Sequence, residues 1–317
     1  MGCSQGCAAV RVDRQCLRVG SALLLPWLVA CHAPAPERCL QSALQQPQLQ
    51  DGRVAFSTRA GQVHFADQYG GSKARSALPL TMASLTKPLV AAAIRDQIDD
   101  GRLHLQDRLS SVLPGRRFDA ATGGLTLQQL LQHQAGFDAS RRDPMFIDPV
   151  GNCRLAMAEV QRRPPEQVPG RAIHYSNVGY CLLGEVLLRA PDRLPTPLLQ
   201  ALRSPRGAAG GWRASLGDTH AALRATLPVV DLPSAVQLTD GSYYGYGWRH
   251  WPPAAGQPAW THFGRLPGML SLAATDGRDR LLVAHFSGDP TDVERASQQA
   301  ITQLWRCVQQ IPDPQQP

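Results

Sequence analysis

Apolar and polar positions divide the chain into strand-like ends and a helical middle. Residues 37–46 read as a short helix that Pro47 stops, because proline lacks the amide hydrogen a helix needs. Residues 53–57 and 62–66 alternate as two short strands around a hairpin signal at Arg59-Ala60-Gly61. A helix is predicted over residues 84–98, with Pro88 in its first turn, where proline is tolerated. Residues 125–131 repeat with helical period and stop at Ala135-Gly136. Residues 138–173 are polar, proline-rich and irregular apart from one helix over 155–161. Residues 180–188 are apolar enough for a buried helix, and 191–210 read as a connector. Beyond Tyr243 strands return at 244–248, 269–273 and 281–286, and a helix over about 292–308 closes the chain. Strands at both ends with helices between them predict an α/β or α+β fold. The expected architecture is an antiparallel sheet, from about 51–80 and 210–317, flanked by helices and carrying an inserted all-helical domain at about 84–205.

Composition narrows the function classes. With 317 residues, 43% hydrophobic and 18% charged, the chain can bury a sizeable core. A formal charge of +7 invites a nucleic-acid partner. However, the arginines are scattered among acids and no basic run with aromatic spacing occurs, so nucleic-acid binding is not expected.

The N-terminus carries an address. Arg11, Arg14 and Arg18 precede the apolar run of residues 22–30, too short for a stable span but suited to a signal-peptide core. Leu28-Val29-Ala30-Cys31 resembles the lipobox of bacterial lipoproteins, which implies a signal peptide at 1–30 and lipidation of Cys31. Residues 31–50 then hold the anchor, a tether and the first helix, and 51–317 the functional domain. No Asp follows Cys31, which by the family's sorting habit favours the periplasmic face of the outer membrane. Cys39, Cys153, Cys181 and Cys307 remain for an oxidising compartment, with three possible pairings. The favoured one is Cys39–Cys307, between terminal helices that should pack together, and Cys153–Cys181, which brackets one segment. No spacing suggests a metal site, and no cofactor is expected.

The chemistry starts at Met82-Ala83-Ser84-Leu85-Thr86-Lys87. Residues three apart on a helix share a face, so the Ser84 hydroxyl and the Lys87 amine fall within reach of each other. A serine is a poor nucleophile until a neighbour takes its proton, and a lysine does so once burial lowers its pKa. Of 32 Lys and Arg residues only Lys73 and Lys87 are lysines, so this placement is conspicuous. Tyr175-Ser176-Asn177 supplies a phenol that is a base if nearby cations lower its pKa, and an amide for substrate. His262-Phe263-Gly264 opens a predicted strand, where glycine permits close backbone approach. His133 and His174 are read as hydrogen-bonded structural histidines, and Met82 and Phe56 as core.

S-x-x-K, Y-x-N and H/K-x-G in this order resemble the serine β-lactamase and penicillin-binding-protein superfamily, specifically its class C-like branch. Supporting stretches include Leu130 to Gly136, Pro169-Gly170, Ala209-Gly210-Gly211 and Tyr244 to Trp248. The resemblance implies a β-lactamase/DD-peptidase-like fold in which Ser84 is acylated. Lys87 and Tyr175 share proton transfer, with the acylation base open between them. Asn177 orients substrate, His262 fills the third motif, and the backbone N–H groups of Ser84 and Arg265 form the oxyanion hole beside Gly264. The implied partner is a small molecule or peptide: an ester, a β-lactam or a D-amino-acid peptide. The alternatives are a cell-wall DD-peptidase and a catalytically idle binding lipoprotein. Phe263 departs from the small residue common in the third motif; it faces the core or narrows the site, which argues against efficient antibiotic hydrolysis. The anchor is tested by palmitate labelling in a bacterial host: label is expected on the protein and absent from Cys31→Ala.

Overall fold

The computed structural model describes residues 35–58, 62–69, 77–137, 143 and 151–311, all within one compact unit, residues 34–317. The leader, Cys31, the tether and the turn at 59–61 lie outside the described residues. In chain order, helix α1 (Ala35–Ala43) leads into strands β1 (Gln50–Ser57), β2 (Val63–Asp67) and β3 (Leu80–Thr81). A 3₁₀ turn, Ala83–Leu85, feeds helix α2 (Thr86–Asp99). Short helices α3 (Leu109–Val112), α4 (Ala120–Gly123) and α5 (Leu127–Leu131) follow. Next come α6 (Cys153–Val160), α7 (Asn177–Leu187), α8 (Thr196–Arg203) and α9 (Gly207–Gly210). Strand β4 (Arg213–Ala214) and helix α10 (Leu216–Arg224) return the chain to the sheet. It ends with β5 (Tyr243–Tyr244), β6 (Arg249–His250), β7 (Trp260–Leu266), β8 (Met269–Thr275), β9 (Leu281–Ser287) and helix α11 (Val293–Gln309).

Seven strands pair in the order β2-β1-β9-β8-β7-β6-β5, every pair antiparallel, so the first and last parts of the chain share one sheet. Period-two alternation explains why both of its faces are covered. Along β9, Leu282, Ala284 and Phe286 join Leu40, Leu44, Leu304 and Trp305 in a core under α1 and α11. Leu281 and Val283, between them, join the second core with Val90, Ile94 and Leu183 of the helical part. Strand β9 therefore reads as a nearly unbroken apolar run.

Local signals place the helices well. Thr126 caps α5 through a capping box with Gln129, and Asp292 caps α11 by accepting from the Arg295 N–H. Disulfides join Cys39 to Cys307, tying α1 to α11, and Cys153 to Cys181, tying the first residue of α6 to α7. Met82 and Phe56 are fully buried.

Three expectations need correction. The segment 191–210 is a 3₁₀ turn followed by α8 and α9, since Leu198, Ala201 and Leu202 bury one helical face. Residues 244–248 are not one strand: Tyr244 ends β5, and 245–248 form the turn that joins it to β6. Gly247 there has φ +73°, and a Cβ on it would come 2.7 Å from the Lys87 carbonyl oxygen. Finally, Ser84 does not begin the α-helix, which starts at Thr86.

Removing Cys39–Cys307 through Cys39→Ala with Cys307→Ala should lower the unfolding free energy by about 2–5 kcal/mol in a denaturant titration, since it closes a very long loop. An unchanged midpoint would show that α1 holds α11 by packing alone.

Candidate active site

Ser84 sits in the middle of the 3₁₀ turn, following Ala83 in the left-handed region at φ +44°. An alanine there is strained, and surrounding packing must hold it. The packing is visible. Ser271 Oγ donates to the Met82 carbonyl at 2.8 Å, and a Cβ on Gly264 would come 2.5 Å from that carbonyl oxygen and 3.1 Å from the Ser84 nitrogen. Glycine at 264 thus lets β7 lie directly against the turn that presents Ser84. The Ser84 side chain caps no helix, which leaves its hydroxyl for chemistry.

Lys87, one turn on, is 0% exposed. Its Nζ donates to Ser84 Oγ at 2.9 Å, Asn177 Oδ1 at 2.7 Å and the Ala209 carbonyl at 2.7 Å, using all three of its protons. Burial lowers its pKa to about 7, while the Asp143 carboxylate works in the opposite direction. A neutral amine next to a serine hydroxyl is therefore accessible near neutral pH.

Tyr175 does not meet the condition under which its phenol would be a base. Its phenol is hydrogen-bonded to Ser84, yet burial and the nearby Tyr244 and Tyr180 rings push its pKa well above the usual value. Lys87 lies 5.0 Å from its ring centroid, but the desolvation outweighs any help from that cation. The phenol remains protonated at neutral pH. His262 is 3% exposed, and burial with the nearby Lys87 lowers its pKa to about 3. It therefore brings a neutral imidazole to the third motif, not a cation.

His133 belongs to this cluster although its sequence context assigned it no role. Its ring packs 4.4 Å from Tyr175 and 4.7 Å from Tyr244, and its Nδ1 accepts from the Ser176 N–H at 3.2 Å. The hydrogen-bonded structural reading fits this position. For His174 only a backbone bond, its N–H to the His133 carbonyl at 2.8 Å, bears on that reading.

Asp143 is a component the motifs missed. It is 1% exposed and accepts from Asn177 Nδ2 at 2.8 Å and from the Asn177 backbone N–H at 3.1 Å. Those bonds turn the Asn177 oxygen toward Lys87 and leave one Nδ2 hydrogen. Asp143 lies in the polar irregular stretch, where no periodicity marks it.

Ser84, Tyr175, Asn177, His262, Phe263 and Arg265 line a cleft of about 170 Å³, shared with Arg249 and Tyr244. Phe263 also packs against the core under α1 and α11, so it contributes to the far face of the sheet as well as to the cleft. Strand β6 pairs only with Trp260 and Thr261, so among the described strands β7 has a free edge from His262 to Leu266. Arg249 is held over the Trp251 ring at 4.1 Å and paired with Asp240. Trp248 is buried in the core.

The Beta-lactamase family model matches residues 43–222, more than half of the chain. The chain belongs to the beta-lactamase family. Among curated proteins, a putative fimbrial assembly protein FimD of Dichelobacter nodosus is 33% identical over 115 residues. That match covers 35% of this chain and 29% of the relative, so the chain spans well under two thirds of it. Among solved structures, D-amino acid amidase from Ochrobactrum anthropi SV3 superposes with TM-score 0.65 at 16% identity, over 87% of this chain and 100% of that one. A beta-lactamase/D-alanine carboxypeptidase from Pseudomonas syringae gives 0.63 at 17% identity, over 88% and 100%. These neighbours share the beta-lactamase fold, an antiparallel sheet with helices, and the family is one of serine hydrolases.

Asp143 should set the charge state of Lys87. Asp143→Asn removes a negative charge that favours the ammonium, so the Lys87 midpoint should fall below about 7. With only two lysines in the chain, lysine-selective isotope labelling and NMR read this directly. An unmoved midpoint would remove Asp143 from the electrostatics of the site.

Proposed function

We propose that this chain is an exported serine hydrolase of the class C-like branch that forms an acyl-enzyme through Ser84 on an amide or ester. The observation that carries the reading is the 2.9 Å contact between Ser84 Oγ and a fully buried lysine. Lys87, neutral in part of the molecules at pH 7, takes the Ser84 proton as Oγ attacks the substrate carbonyl. The backbone N–H groups of Ser84 and Arg265 stabilise the oxyanion that forms. The Tyr175 phenol, still protonated, passes its proton to the departing nitrogen or oxygen and is refilled from Lys87. Water then attacks the acyl carbon by the same groups in reverse.

The free edge of β7 supports a peptide-like substrate, because an extended backbone can add to it as a further strand. The names of the D-amino acid amidase and the D-alanine carboxypeptidase support an amide next to a D-residue. A cell-wall DD-peptidase is the second reading within the same chemistry. The intact Ser84–Lys87–Asn177 hydrogen bonds argue against an idle binding lipoprotein. Two disulfides support export to an oxidising compartment, and Cys31 is the proposed lipid anchor on the outer membrane.

The test is intact-mass spectrometry during incubation with a penicillin, beside Ser84→Ala. A lasting adduct, lost in the variant, is expected for a slowly deacylating peptidase; consumption without an adduct marks a β-lactamase. The absence of a penicillin adduct, of penicillin turnover and of short-chain ester hydrolysis together would sink the hydrolase reading. Because the neutral form of Lys87 is the base, kcat/KM on a turned-over substrate should fall about tenfold per pH unit below about 7.

A further inference from the structure

Lys87 owes its surroundings to segments that meet at one covalent crosslink. Asn177, whose Oδ1 accepts from Lys87, opens α7, and Cys181 follows four residues on (181−177), one turn along the same face. Cys181 is bonded to Cys153, the first residue of α6. Cys153 in turn grips the segment that delivers the second acceptor. Its N–H donates to the Pro205 carbonyl at 2.8 Å, and its sulfur lies 3.2 Å from the Arg206 carbonyl oxygen. A Cβ on Gly207 would come 2.9 Å from that sulfur. Gly207 begins α9, which carries Ala209 and its carbonyl to Lys87. Helix α9 also packs on α7 so closely that a Cβ on Gly184 would lie 2.7 Å from that of Ala208. Asp143, which orients Asn177, lies ten residues before Cys153 (153−143).

We propose that the Cys153–Cys181 disulfide is a positioning element of the active site, one that holds the Asn177 and Ala209 acceptors in register around Lys87. Reducing it with a dithiol converts the site to a looser, hydrated form. The exchange balances: the dithiol gives up two electrons and two protons and becomes a disulfide, while Cys153 and Cys181 become two thiols. The other crosslink is a built-in control. Cys39–Cys307 joins helices on the opposite face of the sheet, in the core that contains none of the Lys87 acceptors.

The direction of the effect follows from what surrounds Lys87. It faces the Asp143 carboxylate, the neutral His133 and His262 imidazoles, and the Tyr175 and Tyr180 phenols. Burial is the largest influence on it, and Asp143 the opposing one. Loosening α7 from α9 admits water, weakens the burial and raises the Lys87 midpoint toward that of a free lysine. The inference rests on reading Lys87 as the proton acceptor for Ser84, but its test does not require turnover.

Lysine-selective isotope labelling of the purified protein gives signals from Lys73 and Lys87 only, and Lys73→Arg assigns them. The Lys87 midpoint is measured in the wild type, in Cys153→Ala with Cys181→Ala, and in Cys39→Ala with Cys307→Ala. The expected result is a rise of about one pH unit or more in the first pair, with no rise in the second. The second pair, treated with dithiothreitol until mass spectrometry counts both thiols free, should show the same rise; it decides the matter if the first pair does not fold. An unchanged midpoint in the reduced protein overturns the proposal. So does global unfolding on reduction, which would make the crosslink a stability element alone. Absence of any acylation of wild-type Ser84 would defeat the hydrolase reading and leave this titration standing.

Discussion

Burying the amine of Lys87 is the constraint around which the molecule is arranged. An isolated ammonium in an apolar interior is too costly to persist unless it is paired, hydrogen-bonded or neutralised. Here all three routes operate in part. Burial lowers the pKa to about 7, three acceptors satisfy the donors, and Asp143 supplies a negative charge behind Asn177. The acceptors come from the turn before α2, the start of α7 and the short helix α9, so three separate segments must arrive at one point. A lysine placed this way is a better proton acceptor than a solvated one because its neutral form is populated near neutral pH.

Close backbone approach is the second requirement. Gly264 brings β7 against the Met82 and Ser84 backbone, and Gly247 brings the β5–β6 turn against Lys87 and Pro88. A side chain at either position would push an element of the sheet off the turn that carries Ser84. The strained Ala83 follows from the same pressure, with the Met82 carbonyl held by Ser271 on one side and the strand on the other. Neutral His262 adds a hydrogen-bonding group without a positive charge that would drive Lys87 lower, and protonated Tyr175 adds one without a negative charge that would raise it.

Much of this was legible in the chain. Ser84 and Lys87 could be paired because helical spacing alone brings residues three apart together. The elements α5, α7 and α11 and strands β8 and β9 were legible because each buries a continuous face that periodicity reports. Where periodicity was absent the reading failed. Asp143 sits in an irregular polar stretch, and its importance comes from a contact 34 residues away in sequence. The carbonyl of Ala209 is a backbone atom, and no residue type announces which carbonyl will meet an amine. Helices α8 and α9 were hidden among prolines and glycines that usually mark a connector.

The residue types of the site, their order, the two-ended sheet and the cysteines available for crosslinking could be read from the chain before it folds. Those follow from composition, from helical and strand periods, and from motif spacing, all of which are local. The ionisation of the site was set by packing. Tyr175 would be a base only if a nearby cation lowered its pKa, but its burial among Tyr180 and Tyr244 wins and keeps it protonated. His262 is neutral for the same reason, and Lys87 is poised near neutrality. A pKa depends on how much water each group loses and which charges remain close, and both are properties of the packed chain.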